Sequence, residues 1–139
     1  MMTELTWQEA KARTQAMELE IAESIPQDQV ADVAQMPTGM LIDCGGSTVN
    51  WNGVTTVTLT AGTEPDPVVR ALEEKYRESR FELKVRDPAP AGHFEVQLRS
   101  PDAAENYIIG AGVEPQTIRI ASGSECFPWP EDESIRGEF

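Results

Sequence analysis

The chain has 139 residues, of which 40% are hydrophobic and 25% charged, with ten glycines, ten prolines and two cysteines. This describes one ordinary packed domain, residues 1–139, with too little apolar material for a second. The formal net charge of −13 argues against nucleic acid, whose phosphates require lysine and arginine, and against adhesion to anionic lipid. It fits either solubility alone or a basic partner.

No stretch reaches the roughly 20 apolar residues of a membrane span. The start of the chain runs directly into polar Thr3-Glu4-Leu5-Thr6, so no signal peptide is visible within it. The first predicted element is a helix at about 6–24. Thr6-Trp7-Gln8-Glu9 fits a capping box, in which hydroxyl and carboxylate satisfy otherwise orphaned backbone N–H groups. Ala10, Thr14, Met17, Ile21 and Ile25 then recur at helical spacing, and Pro26 ends the pattern.

Residues 26–38 read as a connector. Residues 40–44 read as a short buried strand stopped by Gly45-Gly46, and 47–53 as a turn, with Asn52-Gly53 as its local signal. The β-branched run 54–60 makes the next strand, with Val57 and Leu59 on one face and Thr56, Thr58 and Thr60 on the other. The two strands form a hairpin.

A second helix follows, with Asp66 as its cap and Pro67 at its first position. Val68, Val69, Leu72 and Tyr76 form its apolar face. Four strands are then predicted at 81–86, 94–99, 107–110 and 117–121, separated by short turns that favour an antiparallel meander. The segment Phe127-Pro128-Trp129-Pro130 cannot continue a central strand, because proline has no N–H to donate.

The fold class expected is therefore α+β. An antiparallel sheet of about five to six strands carries two helices on one face, in the order α-β-β-α-β-β-β-β. The helix at 6–24, a sheet-plus-helix body at 39–127 and a proline-rich acidic tail at 128–139 make up the single domain.

Little in the chain points to chemistry. The single histidine, His93, begins a strand beside a turn and reads as a solvent-exposed residue rather than a catalytic base. Gly45-Gly46-Ser47-Thr48 lacks the lysine and the following helix of a phosphate loop. With 24 acids a glycosidase-type carboxylate pair cannot be picked out. No catalytic residue, cofactor or metal is expected.

Cys44 and Cys126 admit three readings: a disulfide, two buried thiols, or a metal site, the last short of ligands. Trp7-Gln8-Glu9-Ala10-Lys11, Met17-Glu18-Leu19-Glu20, residues 41–44, Trp51-x-Gly53 and Ser122-Gly123-Ser124-x-Cys126-Phe127 together resemble a group of uncharacterised actinobacterial proteins. These are small exported proteins, commonly lipoproteins, with one cysteine after an early strand and one near the C-terminus. The resemblance implies a disulfide and an extracytoplasmic location, in the cell envelope or secreted, with a signal and lipid-bearing cysteine upstream; it implies no activity.

A Cys44–Cys126 bridge would place Trp51, Phe127 and Trp129 around one edge of the sheet, as a partner surface for an unidentified protein or small ligand. Each aromatic has a plainer reading as a cap on the core. Trp7 is expected to pack at the base of its own helix. The function expected is a non-catalytic extracytoplasmic binding or envelope-structural module, with no membrane insertion of the domain itself. The alternatives are a cytoplasmic acidic regulator of immunity type and, third, a small hydrolase.

Overall fold

The computed structural model describes residues 5–86, 93–101 and 105–139. The chain runs through α1 (Trp7–Glu23), β1 (Val30–Gln35), β2 (Met40–Gly45), β3 (Thr48–Leu59), α2 (Pro65–Tyr76), β4 (Glu82–Arg86), β5 (Glu95–Arg99), β6 (Asn106–Ala111), β7 (Thr117–Gly123) and β8 (Phe127–Pro128). The α+β class, the antiparallel sheet and the two helices are as expected. Eight strands are present among the described residues where five to six were expected.

The capping box forms: Glu9 N donates to the Thr6 hydroxyl at 3.2 Å, and Thr6 N donates to the Glu9 carboxylate at 3.1 Å. The bonds donated to the carboxylate by Thr6 N and by the Thr6 hydroxyl hold the Glu9 carboxyl below its ordinary value. Ala10, Thr14, Met17, Ile21 and Ile25 are all buried, as their spacing required. In α2 the cap is Glu64 rather than Asp66, and its side chain makes no capping bond. Pro65 takes the first helical position instead of Pro67, since a proline anywhere in that turn sacrifices no intrahelical bond.

The sheet order is β1-β3-β7-β6-β5-β4, antiparallel throughout, with β2 and β8 also paired to β3. The 12-residue β3 is the spine. On one side its second half pairs with β1 and its first half with β2; on the other it pairs with β7 and then β8. The register Val57↔Ile118, Ile120↔Ile109, Ile109↔Val96 and Tyr107↔Leu98 gathers the apolar residues on one face. Both helices pack there, with Ile21, Val69 and Leu72 among the buried residues.

Three local expectations are corrected. The connector at 26–38 contains strand β1, which lies at the sheet edge with both its faces largely exposed; without a buried face it shows no apolar alternation. The turn at 47–53 is shorter and earlier: Gly45, Gly46 and Ser47 take positive φ (91°, 59° and 64°), and residues 48–53 already belong to β3. The strand at 40–44 forms, but only Leu41 of it is buried, because β2 is also an edge. Phe127-Pro128 continues no central strand, as expected, and pairs on one side only, with Val49 and Thr48.

A second, smaller core lies beyond the main one. It consists of Ala10, Leu41, Val49, Trp51 and Phe127, ringed by half-buried Trp7, Trp129, Ile135 and Phe139. The acidic tail closes it. Phe139 exchanges two backbone hydrogen bonds with Gly39, at 2.8 and 3.1 Å, and accepts a third from Trp51 Nε1 at 3.1 Å. Its ring meets Trp7 and Trp129 edge-on, with centroids 5.4 and 5.8 Å away.

Candidate functional site

Cys44, near the end of β2, and Cys126, just before β8, form a disulfide with Cα atoms 6.4 Å apart. β2 and β8 flank the same end of β3, so the bridge clasps that end from both sides. Both cysteines are exposed. Trp51, Phe127 and Trp129 do come together beside the bridge. Their burial follows the plainer of the two readings, caps on the core, over a partner surface: Trp51 is 0% and Phe127 2% exposed, and only Trp129 is half-open. The tail covers them. Trp7 meets Phe139 of that tail instead of packing on its own helix alone.

His93 is exposed on a bend before β5. Among the described residues no three of His, Cys, Asp and Glu stand close enough to share a metal ion. Nor is any described helix long and apolar enough to cross a membrane.

One titratable group inside the protein was missed from sequence. Glu18 is fully buried between α1 and the sheet. Its Oε1 accepts from Thr55 Oγ1 at 2.6 Å and from Gln35 Nε2 at 3.3 Å, and its Oε2 accepts from the Ser122 hydroxyl. All three partners are neutral. Burial pushes the carboxyl above the usual range, and the hydrogen bonds from Ser122, Thr55 and Gln35 oppose that rise. Ser122 Oγ also stands 3.2 Å from the Gly53 carbonyl. The hydroxyl can therefore donate to Gly53 and accept from a protonated Glu18, or donate to an ionised one, so the pocket serves both states. With no exposed atom Glu18 cannot meet a substrate; it ties α1 to β1, β3 and β7. A signal existed in the sequence, since Glu18 falls inside the apolar stripe between Thr14, Met17 and Ile21.

The open part of the molecule is the β1–β2 edge. No described strand pairs with the outer side of either. A groove of about 490 Å³ runs between the end of α1 and β1, lined by Leu19, Ala22, Glu23, Ile25, Val30 and Val33. A second, of about 740 Å³, lies on the helix-free face, with Met36, Met40, Ile42, Val54 and Ala121 in its walls. Val33 is 40%, Ile42 50% and Met40 64% exposed. Sequence reasoning misses this edge in two ways: β1 reads as connector, and the strand at 40–44 reads as buried although Met40 and Ile42 face solvent.

Compared with protein-family models, curated proteins and solved structures, the chain finds no match among any of the three.

Proposed function

We propose that this chain is a non-catalytic binding module that works outside the cytoplasm and contacts its partner through the β1–β2 edge. The observation that carries the reading is the exposed apolar residues of the β1–β2 edge, on whose outer side no described strand pairs: Met36, Met40 and Ile42 on the helix-free face and Val33 on the helix-covered one. Edges of this kind are templates for another chain, and apolar side chains grouped on them mark contact surfaces. The solvent-exposed Cys44–Cys126 bridge supports the location, because such a bond persists where reducing thiol pools are absent. The resemblance to small exported actinobacterial proteins points the same way, and would add a lipid anchor upstream. A cytoplasmic acidic regulator, favoured by the net charge alone, would keep Cys44 and Cys126 as thiols.

The test is a photo-crosslinking side chain placed at Ile42, or at exposed Arg77 just after α2 as the control, in cells that make the protein. A discrete adduct from position 42 and not from 77 is expected, with both cysteines resistant to alkylation until reduced. No adduct at 42, together with thiols that alkylate directly, would end the reading.

A further inference from the structure

The β1 edge differs from the opposite one in charge. The stretch 14–69, which builds most of α1 and all of β1, β2 and β3, contains no lysine, arginine or histidine. It carries eight carboxyl groups: Glu18, Glu20, Glu23, Asp28, Asp32, Asp43, Glu64 and Asp66. At the β1 edge Glu23, Asp28 and Asp32 are exposed and form no ion pair among the described residues. The far edge, β4, carries Lys84 and Arg86, the type of charge that blunts a free strand.

The two faces of the β1 edge differ as well. From Asp32 to Gln35 the pairing with β3 is regular. Val33 lies opposite Val57, on the helix-covered face and in the groove with Leu19 and Ile25. Asp32 and Ala34 lie opposite Thr58 and Thr56, on the helix-free face. A strand added beside β1 would alternate in step. Every second side chain would enter the apolar groove, and those between would stand beside Asp32.

We infer that β1 takes up an extended segment of a partner as an added antiparallel or parallel strand, and that this segment alternates apolar with basic residues. The inference rests on the binding-module reading and specifies its partner. Main-chain hydrogen bonds to the open edge supply affinity, the groove selects apolar side chains, and the uncompensated acids select basic ones. A second copy in a symmetric pairing is disfavoured, because it would set acidic edge against acidic edge on two chains of net charge −13.

The experiment is fluorescence anisotropy on the full, oxidised chain with a labelled peptide of alternating lysine and valine. Three further peptides serve as comparisons: glutamate in place of lysine, the same residues in two blocks, and alternate backbone nitrogens methylated. Saturable binding by the first peptide alone is expected, weakened on the order of tenfold by Asp32→Lys and by Val33→Asp. Both sites are exposed, and an unchanged melting temperature checks that the variants fold. Equal binding by the block or methylated peptide would overturn strand addition in favour of charge alone. Concentration-dependent growth in mass without peptide, lost in Asp32→Lys, would make the occupant a second copy and overturn the basic partner. Growth in mass caused by Asp32→Asn, with no peptide binding by the parent, would make Asp32 a guard against aggregation. No peptide binding at all, with crosslinks persisting at Ile42, would sink the inference and leave the binding module standing.

Discussion

Glu18 on α1 and Ser122 on β7 lie 104 residues apart in the chain and share a hydrogen bond in its interior, with Thr55 and Gln35 completing a wholly neutral shell around the carboxyl. A buried acid without a cation is supported only by its donors, so its neighbours decide what a substitution does. Glu18→Gln keeps the shape and an acceptor, and is expected to stay within about 1 kcal/mol of the parent at neutral pH. Glu18→Ala leaves a cavity and strands the Thr55 hydroxyl, while Ser122 keeps the Gly53 carbonyl and Gln35 the Gln15 carbonyl, and is expected to cost about 2–4 kcal/mol in urea unfolding. Equal losses for the two would show that the pocket requires the charge.

The same carboxyl sets a pH dependence. Its value in the folded chain lies above the 4.5 of an unperturbed glutamate. A raised carboxyl favours the protonated native state. Its contribution to stability is thus fully present below about pH 4.5 and is lost as pH rises through the folded value. Parent minus Glu18→Gln stability, measured from about pH 4 to about pH 8, should fall with rising pH and then level off. A difference that grows with pH would mean the hydrogen bonds outweigh burial.

Gly53 sits mid-strand between Trp51 and Glu18. A methyl group there would overlap the indole ring and stand 3.2 Å from Glu18 Oε2. Gly53→Ala is therefore expected to destabilise by about 1–3 kcal/mol, beyond any change in strand propensity. Near-UV circular dichroism from Trp51 should change with it; an unaltered spectrum and midpoint would show that the ring has room to move.

This glycine also shows what the sequence could and could not reveal. Asn52-Gly53 is a strong turn signal when read locally, yet here the glycine lies mid-strand and makes room for the ring of Trp51, two residues earlier on the same face. The capping box, the apolar stripes of both helices and the alternation in β5, β6 and β7 were legible, because each has a buried face that imposes a period. β1 was not, since α1 touches it only near Val30 and Gln35 and leaves the residues between exposed. For Trp51 and Phe127 two readings stood, core cap or partner surface, and their burial beside the bridge follows the first. The covering layer is Phe139 and its tail, whose sequence carries little pattern of its own.

Reducing the exposed bridge should be simple and costly. The chain-entropy account gives about 4–5 kcal/mol for a loop of this length, and measured bridges often return less; the separation is 82 residues. Cys44→Ser with Cys126→Ser is expected to lower the unfolding free energy by about 2–5 kcal/mol. A shift under about 0.5 kcal/mol would mean that β8 and the tail hold without it.

The edge residues should behave in the opposite way. Met40→Ser and Ile42→Ser replace side chains that are 64% and 50% exposed, and each should move stability by no more than about 0.5 kcal/mol. Leu41→Ala, between them and buried, should cost about 2–5 kcal/mol. If the two serine variants proved as damaging as the alanine, Met40 and Ile42 would be core and the groove would lose its claim as a surface.

The placement of the two cysteines also fixes an order of events in time. Cys44 emerges from the ribosome 82 residues before the residue it must bond, roughly 4–16 s earlier at about 5–20 residues per second. Through that interval β3 lacks both strands of one flank, β7 and β8, and the smaller core lacks Phe127. Neither the spine's second flank nor that core can close until those residues have been made. The bond cannot precede Cys126, and any oxidant meeting the nascent chain earlier finds Cys44 as a single thiol with no partner in the chain.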